Sequence, residues 1–486
     1  MNRFRVLAEN IVIYGLGGVA GKMIPFLMLP VITRLMPDAG YYGLNDLSNT
    51  LASAFQAIAV FGMYDAMFRL FFERNEPEYQ KQICSTALAI TCISSTAVFL
   101  FICLYSRTLA VIVFGDSDYR YLVYIAAFSV LAGSTNSIVS APAKIENESK
   151  VYMAANTVFP LIAYMAAIPL LYQGYYAFAL QLSGLMASVI IEIFFLYKNR
   201  RWFSLHHVNV KYVMPLLKMA APLMPSFLIY WIYHSSDRLM IKYFLSAKEV
   251  GIYAIGAKCG QVSNLICLAF TGGWSFFAYS TMKEENQVKH YSKLFEFISA
   301  IVFCASVLMC AMSYLFYRVL FTDEYLSGYK TAPYLFCAPL LQMMFQIAVN
   351  QFMIMKKSWP CVVFLLFGAA VNIALNILLI PQIGIEGAAI ATAAGYLAAG
   401  VICISVLLKI KKLILTVRFW ISALLSILYF IMWAAVWHVS IAAETAAAAV
   451  LIAICIYLYK KEIYQCMIYI NQMVREKRKD NYDSDK

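Results

Sequence analysis

Three lysines interrupt long apolar stretches of this chain: Lys22, Lys218 and Lys258. An ammonium at membrane depth is costly and is normally turned toward a bundle interior or a wet cavity, where it binds an anionic group. Counting from Ile11 at about 1.5 Å per helical residue puts Lys22 roughly 16 Å into its segment, close to the middle of a bilayer core. Lys22 shares a helical face with Gly18 and Phe26, and Lys218 holds the equivalent place in the second half of the chain. Carboxylates and guanidinium groups recur near these lysines: Asp46, Asp65 and Arg69 in one stretch, Asp237 and Arg238 in another, and Glu192 and Glu444 elsewhere. Asp65 and Arg69 are four apart and can pair along one helical face. For Asp65, Arg69 and Glu192 two readings stand side by side, a cavity role and simple snorkelling to headgroups. Phosphate and pyrophosphate carry strong acceptors that Lys and Arg bind well, so grouped cations in a bundle suit such a ligand.

Other chemistries find little support. The five histidines form no HExxH pattern, and no Ser–His–Asp grouping can be read from the spacing. There is no GxxxxGK[ST] loop to hold nucleotide phosphates. The 12 cysteines make no CxxC pair, and many, such as Cys92, Cys103, Cys304 and Cys310, fall within apolar runs as small buried hydrophobes. Neither a metal nor another cofactor is expected.

The elements that must position the charged groups are membrane-spanning helices. Of 486 residues, 62% are hydrophobic and only 13% charged, and the mean hydropathy is +0.71. Soluble domains carry about 25% charge. Runs of some 18–25 apolar residues, each long enough to cross about 30 Å of hydrocarbon, recur near 11–33, 44–68, 83–104, 119–140, 151–171, 175–197, 213–235, 251–278, 291–316, 331–354, 360–380, 385–408, 418–437 and 441–459. The expected fold is therefore an all-α polytopic membrane protein of about 14 spans. The basic start at Arg3 and Arg5 leads into a retained first span rather than a cleaved signal.

Charge supports this span count. A net charge of +12 would suggest nucleic acid on a soluble protein, but here the basic residues lie in short links, so nucleic acid is not expected as a partner and anionic lipids are. With the N-terminus inside, twenty-seven of the 38 Lys and Arg fall on the inner side and eight on the outer. That bias is the cytoplasmic one. It places both termini in the cytoplasm. The tail from 461 to 486 is basic and charged.

The two halves echo one another. Lys22, Pro25, Pro30 and Thr33-Arg34-Leu35-Met36 lead to Gly43; Lys218, Pro222, Pro225 and Asp237-Arg238-Leu239-Met240 lead to Gly251. With six spans per unit the copies enter the membrane in the same sense, as parallel repeats. The expected division is a six-helix lobe over 1–204, a second over 205–412, and two additional spans over 413–460. Pro25, Pro30, Pro222 and Pro225 are hinge candidates, since an internal proline frees a carbonyl and bends a helix.

Two motifs carry a family resemblance. Asn10, Tyr14-Gly15, Phe26-Leu27, Leu29-Pro30, Thr33-Arg34-Leu35 and Tyr42-Gly43 form the first; Ser236-Asp237-Arg238-Leu239-Met240-Ile241 with Glu249-Val250-Gly251-Ile252-Tyr253 forms the second. Together they resemble the bacterial Wzx-type polysaccharide flippases of the multidrug/oligosaccharidyl-lipid/polysaccharide exporter superfamily. The resemblance implies a V-shaped, two-lobed bundle like that of the multidrug exporters. It further implies movement of a polyprenyl-pyrophosphate-linked oligosaccharide across the cytoplasmic membrane by alternating access, without catalysis. Lys22, Arg34, Lys218, Arg238 and Lys258 are the cavity candidates it supports, with Asp65 and Asp237 as partners and Asp65, Glu192 or Glu444 open to H+ or Na+ coupling. Polysaccharide polymerase or glycosyltransferases are expected neighbours. A Na+- or H+-coupled drug antiporter, a flippase for the peptidoglycan lipid precursor, and a membrane scaffold are the alternatives.

Overall fold

A computed structural model describes residues 21, 23–146, 148–280, 285–357, 359–435 and 441–464. Among these residues the secondary structure is entirely helical. The first lobe comprises α1 (Met23–Leu35), α2 (Ala39–Val60), α3 (Met63–Phe71), α4 (Pro77–Leu104), α5 (Ser106–Phe114), α6 (Arg120–Val139), α7 (Ala141–Ile145), α8 (Ser149–Tyr172) and α9 (Ala179–Lys198). The second comprises α10 (Val213–Ala220), α11 (Met224–Phe244), α12 (Ala247–Ser280), α13 (Gln287–Leu320), α14 (Ala332–Ile354), α15 (Trp359–Ile383) and α16 (Ile385–Lys409). Two further helices, α17 (Val417–Ala435) and α18 (Ile441–Leu458), pack on α13.

Among the described residues, ten helices are long and apolar enough to cross a membrane, and twelve spans result if each of two bent pairs counts as one. Helices α1 and α12 occupy the remaining two of the fourteen expected places. On α12, Lys258, Gln261 and Asn264 place polar groups along one face. Lipid-facing helices instead expose bare hydrocarbon, as at Ile93, Leu100, Leu104, Ile193 and Leu424.

Both bent pairs have a local cause. Between α2 and α3 the axis turns by 41°, where Phe61 and Gly62 adopt φ of 52° and 72°. Glycine is needed at 62 for a second reason, since a Cβ there would lie 2.8 Å from the Ala220 carbonyl oxygen. The second bend, of 46°, falls between α10 and α11, where Pro222 and Pro225 interrupt the backbone hydrogen bonding. Pro25 and Pro30 lie within α1, and neither is deeply buried.

The lobes touch at two seams. At one, α2 crosses α12 so closely that a Cβ on Gly43 would sit 2.9 Å from the Gly251 nitrogen and closer still to the Ala247 carbonyl oxygen. The reverse holds as well: a Cβ on Gly251 would lie 3.0 Å from the Gly43 nitrogen and would overlap the Ala39 carbonyl. The two glycines that end the repeated motifs thus face each other across a local two-fold. Lys248 reinforces the seam, its ammonium 2.7 Å from Glu324 and 3.7 Å from Asp38 of the first lobe. The second seam lies toward the face carrying most basic loops, where Met63, Ala66, Met67 and Leu70 of α3 share a core with Leu216 and Ala220 of α10.

Residues 199–212, which join the lobes, do not hang free. Asn199 donates to the Val139 carbonyl at 2.7 Å, Trp202 to Glu146 at 2.9 Å, and the Asn209 nitrogen to Thr86 at 3.0 Å. Tyr212 adds an edge contact to Tyr79. The chain therefore stays on the first lobe for several residues past the boundary expected at 204. On the second lobe, buried Glu296 of α13 accepts from the Thr416 hydroxyl at 2.8 Å and lies 3.8 Å from Arg418, which secures the start of α17.

Candidate functional site

Between the seams lies a chamber of about 420 Å³, walled by α2, α11, α12, α14 and α16. Helical spacing selects its lining. Asp46, Asn49, Thr50 and Ser53 fall on one face of α2, and Ala257, Lys258, Gln261 and Asn264 on one face of α12, in each case three or four residues apart. Polar groups thus converge where two otherwise apolar helices meet.

Arg238 of α11 anchors the chamber. Its Nε donates to Asp46 Oδ2 at 2.8 Å, and its Nη1 donates to Asp237 Oδ1 at 2.9 Å and to the His234 carbonyl. Asp237 accepts through its other oxygen from the Tyr253 hydroxyl, and the guanidinium carbon stands 5.7 Å from the centre of the Tyr253 ring. The Asp46 link crosses from one lobe to the other. Trp231 makes a second crossing bond, donating to the Ser53 hydroxyl at 3.1 Å. Both carboxylates and the guanidinium are largely buried, with side chains 12%, 3% and 14% exposed for Asp46, Asp237 and Arg238. In such surroundings removing one member strands the others.

Lys258 shares the chamber with Arg238, and its ammonium has no hydrogen-bond or ion-pair partner among the described residues. The chamber's described charges therefore balance, with Asp46 and Asp237 against Arg238 and Lys258. Behind the α16 wall, buried Asn372 donates to Thr392 at 3.3 Å and accepts from Asn376 at 3.4 Å.

The structure separates the other sequence candidates. Lys22 lies outside the described residues. Arg34 is exposed and among the described residues reaches only the Pro30 carbonyl of its own helix, at 3.5 Å. Lys218 is exposed on α10, away from the chamber lining. Both are long side chains beside a helix end, where the stem can carry the charge toward solvent. Asp65 and Arg69 are both exposed on α3 and form no ion pair with each other. Glu192 is half-buried on α9 and accepts from Thr135, in a crevice of about 400 Å³ between α4, α6 and α9 that holds no basic side chain. Glu444 is buried near the start of α18. Among the described residues no group of three or more His, Cys, Asp or Glu is placed to hold a metal ion.

In sequence Asp46 stands only as one of the charged groups of its stretch; its partner is 192 positions away. Asn49, Gln261 and Asn264 were missed, although polar residues repeating at three or four positions within apolar runs were a usable signal. The paired amides Asn372 and Asn376, four apart in an apolar run, were another.

Two helical lobes around a charged chamber define an all-α polytopic membrane protein. Solved structures of that architecture are similar along nearly the whole chain. "Lipid II flippase MurJ, inward closed conformation" aligns with a TM-score of 0.72 at 12% identity, covering 93% of this chain and 100% of that one. "Inward-facing conformation of a multidrug resistance MATE family transporter of the MOP superfamily" aligns at 0.56 and 14% identity, over 84% and 94%. The chain belongs to the polysaccharide biosynthesis protein family, whose model matches residues 31–329. A curated relative, "Lsg locus putative protein 1" of Haemophilus influenzae (strain Rd), is 22% identical over 303 residues, spanning 60% of this chain and 71% of its own length. Family and fold agree with the resemblance carried by the two sequence motifs.

Proposed function

We propose that this protein moves a polyprenyl-pyrophosphate-linked oligosaccharide from the cytosolic to the outer leaflet of a bacterial cytoplasmic membrane by alternating access. The observation that carries this reading is the chamber itself: set between two lobes, polar within a lipid-facing shell, and offering the ammonium of Lys258 beside the guanidinium of Arg238. Such donors suit a pyrophosphate, while a polyprenyl tail stays in the bilayer. The face with most basic loops is the cytosolic one, and both termini lie there. Glycosyltransferases that build the glycan and a polymerase that consumes it are the natural neighbours. A cation-selective drug exporter would need a carboxylate free to meet its substrate, and Asp46 and Asp237 are both engaged by Arg238.

The test is reconstitution with a defined lipid-linked oligosaccharide and a leaflet-specific accessibility assay. Lys258→Ala removes a charged donor that supports no other group, so the fold persists while transport falls. A hydrogen bond to a charged group contributes about 1.5–3 kcal/mol, which corresponds to a decrease of roughly 10- to 100-fold. Lys22→Ala is expected to act in the same direction with insertion intact. Transport equal to the parent by both variants at matched protein levels contradicts the reading.

Coupling to H+ or Na+ is part of the proposal, with Glu192 as its carboxylate, since its partner among the described residues is the neutral Thr135 hydroxyl. Glu192→Gln should then make transport insensitive to an imposed pH or Na+ gradient. An unchanged gradient response rules Glu192 out.

A further inference from the structure

The guanidinium of Arg238 is shared unevenly. Nε is taken by Asp46 and Nη1 by Asp237 and the His234 carbonyl, while Nη2 has no acceptor among the described residues. The Nε–Nη2 edge is one that a phosphate group grips with two parallel hydrogen bonds. Asp46 holds that edge through one oxygen only, at 2.8 Å. Asp46 belongs to the first lobe and Arg238 to the second, and Asp46 follows Gly43 by less than one helical turn, just inside the seam that Gly43 and Gly251 form. Lys258 lines the same chamber with its ammonium open.

We propose that Asp46 is a placeholder for the ligand's anionic group and thereby sets which ligands trigger opening. An anion that engages Lys258 and the free Nη2 completes its grip on Arg238 only by taking Nε from Asp46. Displacing Asp46 removes the buried ion pair that ties the lobes beside the seam. A ligand shifts a conformational equilibrium only through differential affinity for the two states, and the anion gains its second hydrogen bond only in the state where Asp46 has let go. An uncharged amphiphile offers Arg238 no replacement and leaves the tie in place, so the discrimination works by exclusion as well as attraction. This inference rests on the proposed function, since it takes the ligand's charged part to be a phosphate ester or pyrophosphate.

The experiment uses the full chain in proteoliposomes with its native cysteines replaced and a single reporter, Thr50→Cys, at a buried position of the chamber wall. A membrane-impermeant thiol reagent is added on the face that carries Arg107 and Lys330. Farnesyl pyrophosphate is the charged probe and farnesol its uncharged control. Farnesyl pyrophosphate is expected to raise the labelling rate by about tenfold or more, with farnesol without effect. Asp46→Asn should label fast without any ligand and gain little from the probe, and Asp46→Glu should restore probe dependence. Slow labelling of Asp46→Asn, in protein whose melting shows it to be folded, overturns the proposal, as does equal stimulation by farnesol. Probe-dependent labelling without movement of lipid-linked oligosaccharide keeps the placeholder role and overturns the substrate reading instead.

Discussion

Gly43→Ala and Gly251→Ala should each abolish transport and lower the melting temperature of the purified protein, although one methyl group is all that either adds. Their Cβ atoms would meet backbone, not the movable end of a side chain: the Ala247 carbonyl in one case and the Ala39 carbonyl in the other. Overpacking typically costs about 1–3 kcal/mol when side chains can shift; two rigid helices at a crossing have no such relief, so the upper part of that range is expected. The methyl groups would have to push α2 and α12 apart, which also draws Asp46 away from Arg238. Because the seam is locally symmetric, the two variants should resemble each other in transport and in melting. Wild-type transport by either variant shows that the helices do not pack this closely during the cycle.

Arg238→Ala should be the most damaging change in the chamber. It strands Asp46 and Asp237 in a largely buried space and leaves the Tyr253 hydroxyl facing an uncompensated carboxylate. Breaking a buried pair by removing one partner costs about 3–5 kcal/mol. Arg238→Lys keeps the charge but not the fork, since an ammonium is a point charge without a planar edge, so it should recover melting temperature better than transport. Arg238→Ala combined with Asp46→Asn should regain stability over the single variant, because one stranded charge is gone. A thermal shift of Arg238→Ala indistinguishable from the parent would mean that the guanidinium does not hold these groups together.

These expectations join features that differed greatly in legibility. Apolar runs announced the spans, since crossing hydrocarbon demands length and greasiness that composition alone reveals. The echo between Gly43 and Gly251 was visible as a repeated motif ending, yet nothing in the spacing said that the two glycines would touch each other. Lys258 and Arg238 stood out because charge is rare in such segments. Arg34 and Lys218 stood out by the same logic and are exposed, because sequence gives depth along a helix but not the direction in which a flexible side chain leaves it. The tie between Asp46 and Arg238 was illegible for a different reason: it depends on how two lobes dock, which no local pattern encodes. The bend at Phe61–Gly62 escaped notice because only a proline advertises a bend, whereas here positive φ angles create it.

In the alternating-access cycle proposed above, the strap over residues 199–212 determines where the halves would move. Pinned to α4, α6 and the stretch after α7 by Ser85, Thr86, Val139 and Glu146, it has no slack to pay out when the halves swing. Helix α10 beyond it is likewise seated on α3, so it travels with the half that precedes it. The axle of that proposed cycle is thus displaced from the connecting loop to the 46° elbow at Pro222–Pro225, with α11 as the crank that turns there, carrying Arg238 at its far end.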